Sequence, residues 1–524
     1  MAPVSAVYDT ARTLVGGAAT KYVLLGVNIV LGVFLMPFTV GRLGTADYGL
    51  WMLVASMTYY FQLLDLGYGS GIVRHLADAD ARHDPDRVNQ IASTFFFLYA
   101  GLGVLALVGI AGMVFVVVPR FPNLPSESVI KAQQLLAIMG IRIAVGFPLT
   151  VFGAVTTARQ RFSLNNTVAI GVAIASALVT YGVLSAGYGL VTLVFATTVV
   201  SLLSYGLYAW TARIALPSLR ISRSAFTGSI VREVTTISVY FFLIDIAVQL
   251  GFNLDNLIVG AAMGTTAVAM YAVTLRLAEY QRLLCSQVNG LLFPVFVRLT
   301  SGGQRDVLRR ATIESTRFSL TLVVGVTVCL LGFGTPLVTA WMGPAFRGSI
   351  LPLWVLGAAG IVLVAQGPLG SVLLGTGRHR FIAFTALAEA LVNVALSLVL
   401  VRWMGLLGVA LGTALPVIVL SAVVLLPAAC RVIEMPVGRF LAQVARGPIV
   451  AAMPAIATCV TLRYFWPPVS LPTVLAEAAF AGIVYLAVFA TAGLDRTVRA
   501  QYVAYLRHWW QSGVWRPDTR GATS

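Results

Sequence analysis

Charge is scarce in this chain, and lysine is almost missing from it. Only 10% of the 524 residues are charged, 59% are hydrophobic, and the two lysines are Lys21 and Lys131. A soluble globular protein carries about 25% charged residues, so this composition excludes one. Neither lysine follows a glycine, and a Walker A phosphate loop is therefore excluded.

Cysteines and catalytic signatures are also few. The four cysteines are scattered without a CxxC pair, so neither a disulfide framework nor a metal site is expected. No HExxH or GxSxG motif lies in a loop with room for a hydrolase fold. Asp78-Ala79-Asp80 resembles the metal-binding DxD of glycosyltransferases. Its loop is short and belongs to no soluble domain, so we interpret it as a solvated charged loop.

Apolar runs of about 20 residues, enough to cross ~30 Å of hydrocarbon, follow one another along the chain. The predicted fold is an all-α integral membrane protein with about 14 transmembrane helices. The predicted spans are 20–40, 49–72, 91–118, 134–156, 164–184, 190–210, 237–260, 269–297, 313–340, 350–374, 381–401, 406–427, 447–466 and 471–492.

The arginines predict the orientation of these spans. With the N-terminus inside, the cytoplasmic segments hold 24 of the 35 Lys and Arg residues, and the outer loops hold five. Positive residues concentrate on the cytoplasmic side, so both termini are expected there. The formal charge of +16 is explained by this rule and by contact with anionic membrane lipids. We therefore expect no nucleic-acid partner.

An internal repeat predicts how the spans are grouped. Arg159-Gln160-Arg161-Phe162 and Arg378-His379-Arg380-Phe381 lie 219 residues apart, and each opens a long apolar run. Leu43-Gly44-Thr45 and Met263-Gly264-Thr265 repeat at an offset of 220. Six crossings in each half make the halves parallel, and paired halves typically frame a transport pathway. The basic segments anchor the cytoplasmic side, with a gate or a headgroup contact as the alternative.

The predicted organisation has five parts. A first lobe of six spans, a cytoplasmic linker and a second lobe of six spans are followed by two additional spans and a basic cytoplasmic tail. Their bounds are 1–215, 216–236, 237–430, 447–492 and 493–524.

Charged residues inside spans are the candidate functional residues. A central charge costs about 2.5–3.5 kcal/mol to insert, so it normally faces the protein interior or a wet cavity. Arg142 lies in span four, and Arg276, Glu279 and Arg282 lie in span eight at i, i+3 and i+6. The pairs Arg276–Glu279 and Glu279–Arg282 could alternatively be ion pairs that only hold the bundle together.

Span seven carries a polar stripe, because Asp245, Gln249 and Asn253 recur every four residues. We expect Gln249 and Asn253 to line a cavity. The remaining intramembrane acids are Asp65, Asp255 and Glu389, and with Asp245 and Glu279 they are candidates for coupling or gating. Asp65 precedes Leu66-Gly67, so it could instead cap a break in the helix.

These charges suggest an anion site. Arg142 and Arg276 lie at comparable depths in different halves, and a diphosphate between the halves would find bidentate guanidinium donors on both sides. Arg282 could add a third donor. A coupling cation, H⁺ or Na⁺, could then bind at Asp245, Asp255 or Glu389, and no other cofactor is expected.

Residues 38–51 read FTVGRLGTADYGLW and residues 63–69 read LLDLGYG. This region resembles the start of the polysaccharide-biosynthesis flippases, the O-antigen and lipid II flippase branch of the multidrug/oligosaccharidyl-lipid/polysaccharide exporter superfamily. The resemblance implies a transporter of undecaprenyl-diphosphate-linked oligosaccharide in the bacterial inner membrane. It implies alternating access of two lobes, arginines that hold the diphosphate, and a groove for the lipid tail at the last two spans.

The first two spans depart from the lipid II branch, which relies on basic residues there. Here they offer only Lys21 at the inner edge, with Arg42 in the outer turn. This difference favours an O-antigen, capsule or exopolysaccharide repeat unit as the substrate. We expect a monomer, since one chain supplies both halves, with contact to the polysaccharide polymerase machinery.

Two other functions stay open at this stage. A cation-coupled drug or small-solute antiporter of the same superfamily would favour an acidic cavity, whereas these spans carry arginines. A membrane polysaccharide polymerase or ligase would be expected to have a large outer loop with catalytic side chains. The longest outer loop here, 119–133, is short.

Overall fold

A computed structural model describes residues 4–286 and 289–493 of the chain. Within them the chain is helical and no strand occurs. The predicted cytoplasmic tail lies outside these residues, apart from Gly493. The helices are α1 (Val4–Tyr59), α2 (Tyr68–Ala81), α3 (Pro85–Gly112), α4 (Ser126–Ala158), α5 (Phe162–Ser185), α6 (Leu190–Ala215), α7 (Gly228–Met263), α8 (Thr265–Ser286), α9 (Asn289–Ser301), α10 (Arg305–Met342), α11 (Ile350–Gly375), α12 (His379–Met404), α13 (Leu406–Leu420), α14 (Leu426–Val432), α15 (Val437–Phe465) and α16 (Leu471–Val488).

Eleven helices in this described part are long and apolar enough to cross a membrane. The first of them, Ala19–Asp65, contains predicted span one and most of predicted span two, 49–72. Predicted span seven lies within α7, and α8 covers the first part of predicted span eight, up to Ser286; neither helix is among the eleven. The all-α integral membrane fold predicted from the sequence is thereby confirmed.

Several helices begin well before the apolar stretch that predicted them. α3 begins at Pro85, where the Asp84 side chain accepts a hydrogen bond from the Arg87 backbone amide at 2.9 Å. Such a cap satisfies one of the free amides at a helix start, so polar residues can extend the helix beyond the membrane. Hydropathy marks only the crossing, and predicted span three, 91–118, therefore begins six residues after α3 does.

Two glycines show the internal repeat in the backbone. Gly44 interrupts α1 with φ 81° and ψ 165°, and Gly264 separates α7 from α8 with φ 82° and ψ 179°. Positive φ strains a residue that carries a Cβ atom, so glycine suits both turns. The two turns lie 220 residues apart in the sequence and share one conformation.

The second predicted span, 49–72, is not one continuous helix. A 3₁₀ turn, Tyr60–Asp65, ends where Leu66 and Gly67 adopt positive φ, and α2 begins at Tyr68. The Gly69 amide donates to the Asp65 carboxylate at 3.1 Å, which caps the new helix. The Asp65 carboxylate therefore satisfies a backbone amide at the break.

The chain forms two compact units. The first comprises 1–280, 345–356 and 378–420, and the second comprises 281–344, 357–377 and 421–524. This grouping describes packing, whereas the predicted lobes at 1–215 and 237–430 describe the sequence repeat. The lobe boundaries stay a prediction.

Each unit has its own core. In the first unit, Leu53 of α1 packs with Leu135 of α4 and Val259 of α7, all fully buried. In the second, Phe333 of α10 packs with Cys459 of α15. Outward-facing apolar side chains such as Phe34, Leu203 and Ile483 are 64–69% exposed, as expected for surfaces that face hydrocarbon.

Candidate functional site

Arg142 lies near the middle of α4 and is partly buried. Among the side chains that the structure describes, no carboxylate pairs with it. Tyr205 of α6 lies beside the next turn of α4. Gly146, one turn along α4, leaves room for this tyrosine, since a Cβ there would stand 2.9 Å from Tyr205 Cζ. The Tyr205 hydroxyl thus lies one helical turn from Arg142 along α4.

Arg276 lies on α8 in a different environment. Its guanidinium donates to the Glu279 carboxylate at 2.9 Å, between side chains that are 43% and 40% exposed. The guanidinium also lies over the Tyr280 ring, 5.9 Å from its centre. The local ion pair left open by the sequence is therefore present, and it neutralises Arg276.

Among the predicted acids whose side chains the structure describes, Asp255 of α7 is the most enclosed, with 1% of its surface exposed. One carboxylate oxygen accepts hydrogen bonds from Tyr271 of α8 and Thr413 of α13, both at 2.9 Å. The other oxygen has no partner among the described residues. A buried carboxylate with one unused oxygen can accept a proton or contribute a ligand to a small cation.

Further polar groups lie beside this carboxylate. Asn256 donates to Ser56 of α1 at 2.9 Å, and the Asn256 side-chain oxygen has no partner among the described residues. On α12, Ser397 donates to Asn393 at 3.2 Å and to the backbone oxygen of Val409 at 3.4 Å. The region joins α1, α7, α8, α12 and α13 through polar contacts.

The predicted stripe of α7 is only partly described. Asn253 donates a hydrogen bond to Gln249, so these two amides satisfy one another along the helix. The side chain of Asp245 lies outside the described part of the structure. That Gln249 and Asn253 line a cavity stays a prediction.

Asp65 serves the break in the second span. In addition to the Gly69 amide it accepts a hydrogen bond from the hydroxyl of Tyr99, on α3. Tyr99 belongs to an aromatic cluster with Phe95 and Phe147. Asp65 therefore links the helix break to the core, in agreement with the alternative that it caps the break. A gating role for Asp65 stays a prediction.

The remaining predicted residues are divided between the units. Glu389, on α12, lies in the first unit together with Arg142, Arg276 and Asp255. Arg282, on α8, lies in the second unit and is partly buried. The structure therefore groups Arg142 and Arg276 in one unit and places the third arginine in the other.

Asp78 and Asp80 form ion pairs with arginines. Asp78 pairs with Arg82 at 2.9 Å, and Asp80 pairs with Arg159 at 3.1 Å. Both carboxylates are thereby neutralised, and the described residues contain no group of three or more metal-ligating side chains. Arg159, from the first basic repeat segment, thus joins α4 to α2.

Sequence reasoning missed the partners of the acids. In the sequence nothing distinguishes Tyr271 and Thr413 from other residues of apolar spans, and only the fold brings them to Asp255. Tyr205 carried no signal either, whereas Asn256 stood next to Asp255 in a stretch already read as polar. Only tertiary contact assigns these side chains.

The fold resembles solved transporter structures. It matches lipid II flippase MurJ in an inward closed conformation with a TM-score of 0.68 at 14% identity, over 91% of this chain and 98% of that one. It also matches an inward-facing multidrug resistance MATE family transporter of the MOP superfamily, with a TM-score of 0.67 at 13% identity, over 78% and 96% of the chains. At these identities the likeness concerns the fold alone.

Sequence relatives point to polysaccharide biosynthesis. The chain is 24% identical over 471 residues to the uncharacterized membrane protein EpsK of Bacillus subtilis (strain 168), covering 88% of this chain and 92% of the relative. It is 26% identical over 131 residues to the teichuronic acid biosynthesis protein TuaB of the same organism, covering 25% and 27%. The polysaccharide biosynthesis protein family model matches residues 42–351. This multi-pass membrane protein therefore belongs to the polysaccharide biosynthesis protein family.

Proposed function

We propose that this protein is a flippase that moves a polyprenyl-diphosphate-linked oligosaccharide from the cytoplasmic to the periplasmic leaflet by alternating access. The observation that carries the proposal is Arg142, an intramembrane guanidinium without a described carboxylate partner, in a member of a polysaccharide biosynthesis family. A permanent cation inside the bundle attracts an anionic headgroup, and a diphosphate offers bidentate acceptors to it. The product would serve O-antigen, capsule or exopolysaccharide synthesis.

The protein does not need to make or break a covalent bond for this task. It must admit a charged headgroup, let the lipid tail remain in the membrane, and release the headgroup on the other side. Arg142 and Tyr205 would hold the diphosphate, and Arg276 would join them after Glu279 gives up its ion pair. The fold's likeness to transporters supports this interpretation over a polymerase or a ligase.

Coupling would use Asp255. Its unused oxygen and that of Asn256 offer hard oxygen ligands, which suit H⁺ or Na⁺. The test is Asp255→Asn, which preserves shape and removes the charge. Translocation in vesicles should lose its dependence on Na⁺ or on the proton gradient. An unchanged dependence in the variant would rule out Asp255 as the coupling site.

A drug or small-solute antiporter is the second candidate, and the fold's likeness to a multidrug transporter favours it. Leaflet-resolved labelling of lipid-linked oligosaccharide in cells depleted of this protein separates the candidates. Intact repeat units trapped on the cytoplasmic leaflet support the flippase. Normal translocation with unpolymerised units outside indicates a polymerase or ligase. Unchanged lipid-linked sugar favours the antiporter.

The proposed setting is the bacterial inner membrane, with both termini in the cytoplasm. The protein would act as a monomer, in contact with polymerase machinery. Cross-linking in cells that assemble surface polysaccharide checks both statements, since a self-cross-linked dimer would contradict the first.

A further inference from the structure

The connection between α6 and α7 lies against α3. Asn89 of α3 contacts its backbone twice: its amide nitrogen donates to the Ser218 oxygen at 3.2 Å, and its oxygen accepts from the Arg220 amide at 2.8 Å. One side chain thus satisfies a donor and an acceptor of an extended segment, as a neighbouring strand would.

Two more side chains of α3 continue this pattern. The Ser222 amide donates to the Ser93 hydroxyl at 3.1 Å, and the Thr227 amide donates to the Thr94 hydroxyl at 3.0 Å. One turn of helix, from Asn89 to Ser93, advances about 6 Å, which matches two residues of extended chain. This match explains why Arg220 and Ser222, two residues apart, meet Asn89 and Ser93 on successive turns of α3.

The connection also has an apolar side. Leu219 is buried and Ile221 packs on the same hydrophobic cluster as α2, α3 and α4. Arg223 lies over the Phe97 ring of α3, 5.8 Å from its centre. Apolar residues at alternate positions are typical of a half-buried extended segment, and this signal is present in the sequence.

The first turns of α7 are held to the same helices. Glu233 accepts from Arg87 of α3 at 3.3 Å and lies 3.7 Å from His75 of α2.

The hydroxyl-bearing residues Ser93 and Thr94 are fully buried. Undocking the connection would leave their hydroxyls without these partners, which is unfavourable.

We infer that residues 216–227, here named the strap, fasten the start of α7 to α2 and α3 and stay docked throughout the conformational cycle. The sequence alone describes this segment as a polar linker between two mobile halves. The docked strap makes α2, α3 and the first turns of α7 one body, so movement of the second half has to begin further along the chain. The statement about the cycle rests on the proposed transport function, whereas the docking does not.

Limited proteolysis tests the docking on purified full-length protein. Trypsin cleaves after arginine, and Arg220 and Arg223 are exposed side chains on a bonded backbone. Cleavage there requires local undocking. The double variant Asn89→Ala with Ser93→Ala should be cut at these arginines at least about tenfold faster than the parent. Gln90→Ala, on the same helix, should match the parent. Equally fast cleavage of parent and double variant would overturn the docking.

Cross-linking tests the cycle. In a chain whose native cysteines are replaced, His75→Cys with Glu233→Cys is bridged in cells by a short bifunctional thiol reagent. Surface polysaccharide should persist after bridging at the level of the unbridged variant. Its loss upon bridging, with the unbridged variant active, would show that α2 and the start of α7 must separate during the cycle and would overturn the proposal. A depleted strain that keeps normal lipid-linked sugar would instead refute the proposed function, while the proteolysis result would stand.

Discussion

Arg142 and Arg276 belong to the same compact unit, yet their partners differ. Arg276 has an acid three residues away and forms a 2.9 Å ion pair with Glu279. Arg142 has no described carboxylate partner, and the Tyr205 hydroxyl lies one helical turn away along α4. Two arginines at comparable predicted depths therefore differ in whether a nearby acid compensates their charge.

The difference indicates an order of events for an arriving diphosphate. Arg142 can bind it directly, whereas Arg276 must first exchange Glu279 for the phosphate. An ion pair between partly exposed side chains contributes only about 0–1 kcal/mol, so replacing Glu279 by the phosphate costs little free energy. The comparison teaches that a charge inside a span predicts a site only when its local partners are known.

Arg142→Ala should have the largest effect. It removes one or more charge-assisted hydrogen bonds to phosphate, each worth about 1.5–3 kcal/mol, and affinity for undecaprenyl diphosphate should fall about 10- to 100-fold. Titration of the purified protein in nanodiscs measures this. Arg120→Ala is the control, since Arg120 donates to the Val116 backbone at 3.0 Å at the edge of the bundle. Equal affinity in both variants would remove Arg142 from the site.

Arg276→Ala should weaken binding less, by no more than about fivefold, because the guanidinium already has a counter-ion. The same titration measures it. A loss as large as that of Arg142→Ala would erase the distinction between the two arginines and restore the symmetric site that the sequence suggests.

The sequence predicts most of the spans, and its repeat reappears in two glycine turns of the backbone. Apolar runs of bilayer length mark the crossings. Gly44 and Gly264 each occupy a turn with positive φ, a conformation that favours glycine. These features depend on residues close together in the chain. The start of α3 was missed because a capped polar turn extends a helix without adding hydrophobicity.

The site was less predictable for a physical reason. Spacing alone does not tell whether Glu279 pairs with Arg276 or with a residue on another helix, because rotamers and neighbours decide. The partners of Asp255 come from α8 and α13, so only the fold brings them together. The strap could have been predicted from the sequence, since Leu219 and Ile221 alternate with polar residues.

Glu279→Gln should raise affinity for undecaprenyl diphosphate by about two- to fivefold, because it frees Arg276 while keeping a side chain of similar shape. In the Arg142→Ala background the same change should recover part of the lost binding. No gain in either background would show that the ion pair does not compete with the ligand.

Tyr205→Phe should have the smallest effect, a loss of about two- to fivefold, since a neutral hydroxyl adds only about 0.5–1 kcal/mol to an anion that Arg142 already holds. Its ring still fills the space beside Gly146, so the fold is preserved. Tyr181→Phe, which keeps the ring stacked 5.1 Å from Phe38, is the matched control. If Tyr205→Phe weakens binding only while Arg142 is present, the hydroxyl acts together with the arginine on one ligand. A loss of the same size in the Arg142→Ala background would instead assign the hydroxyl an independent contact, and the first-half site would have two separate donors.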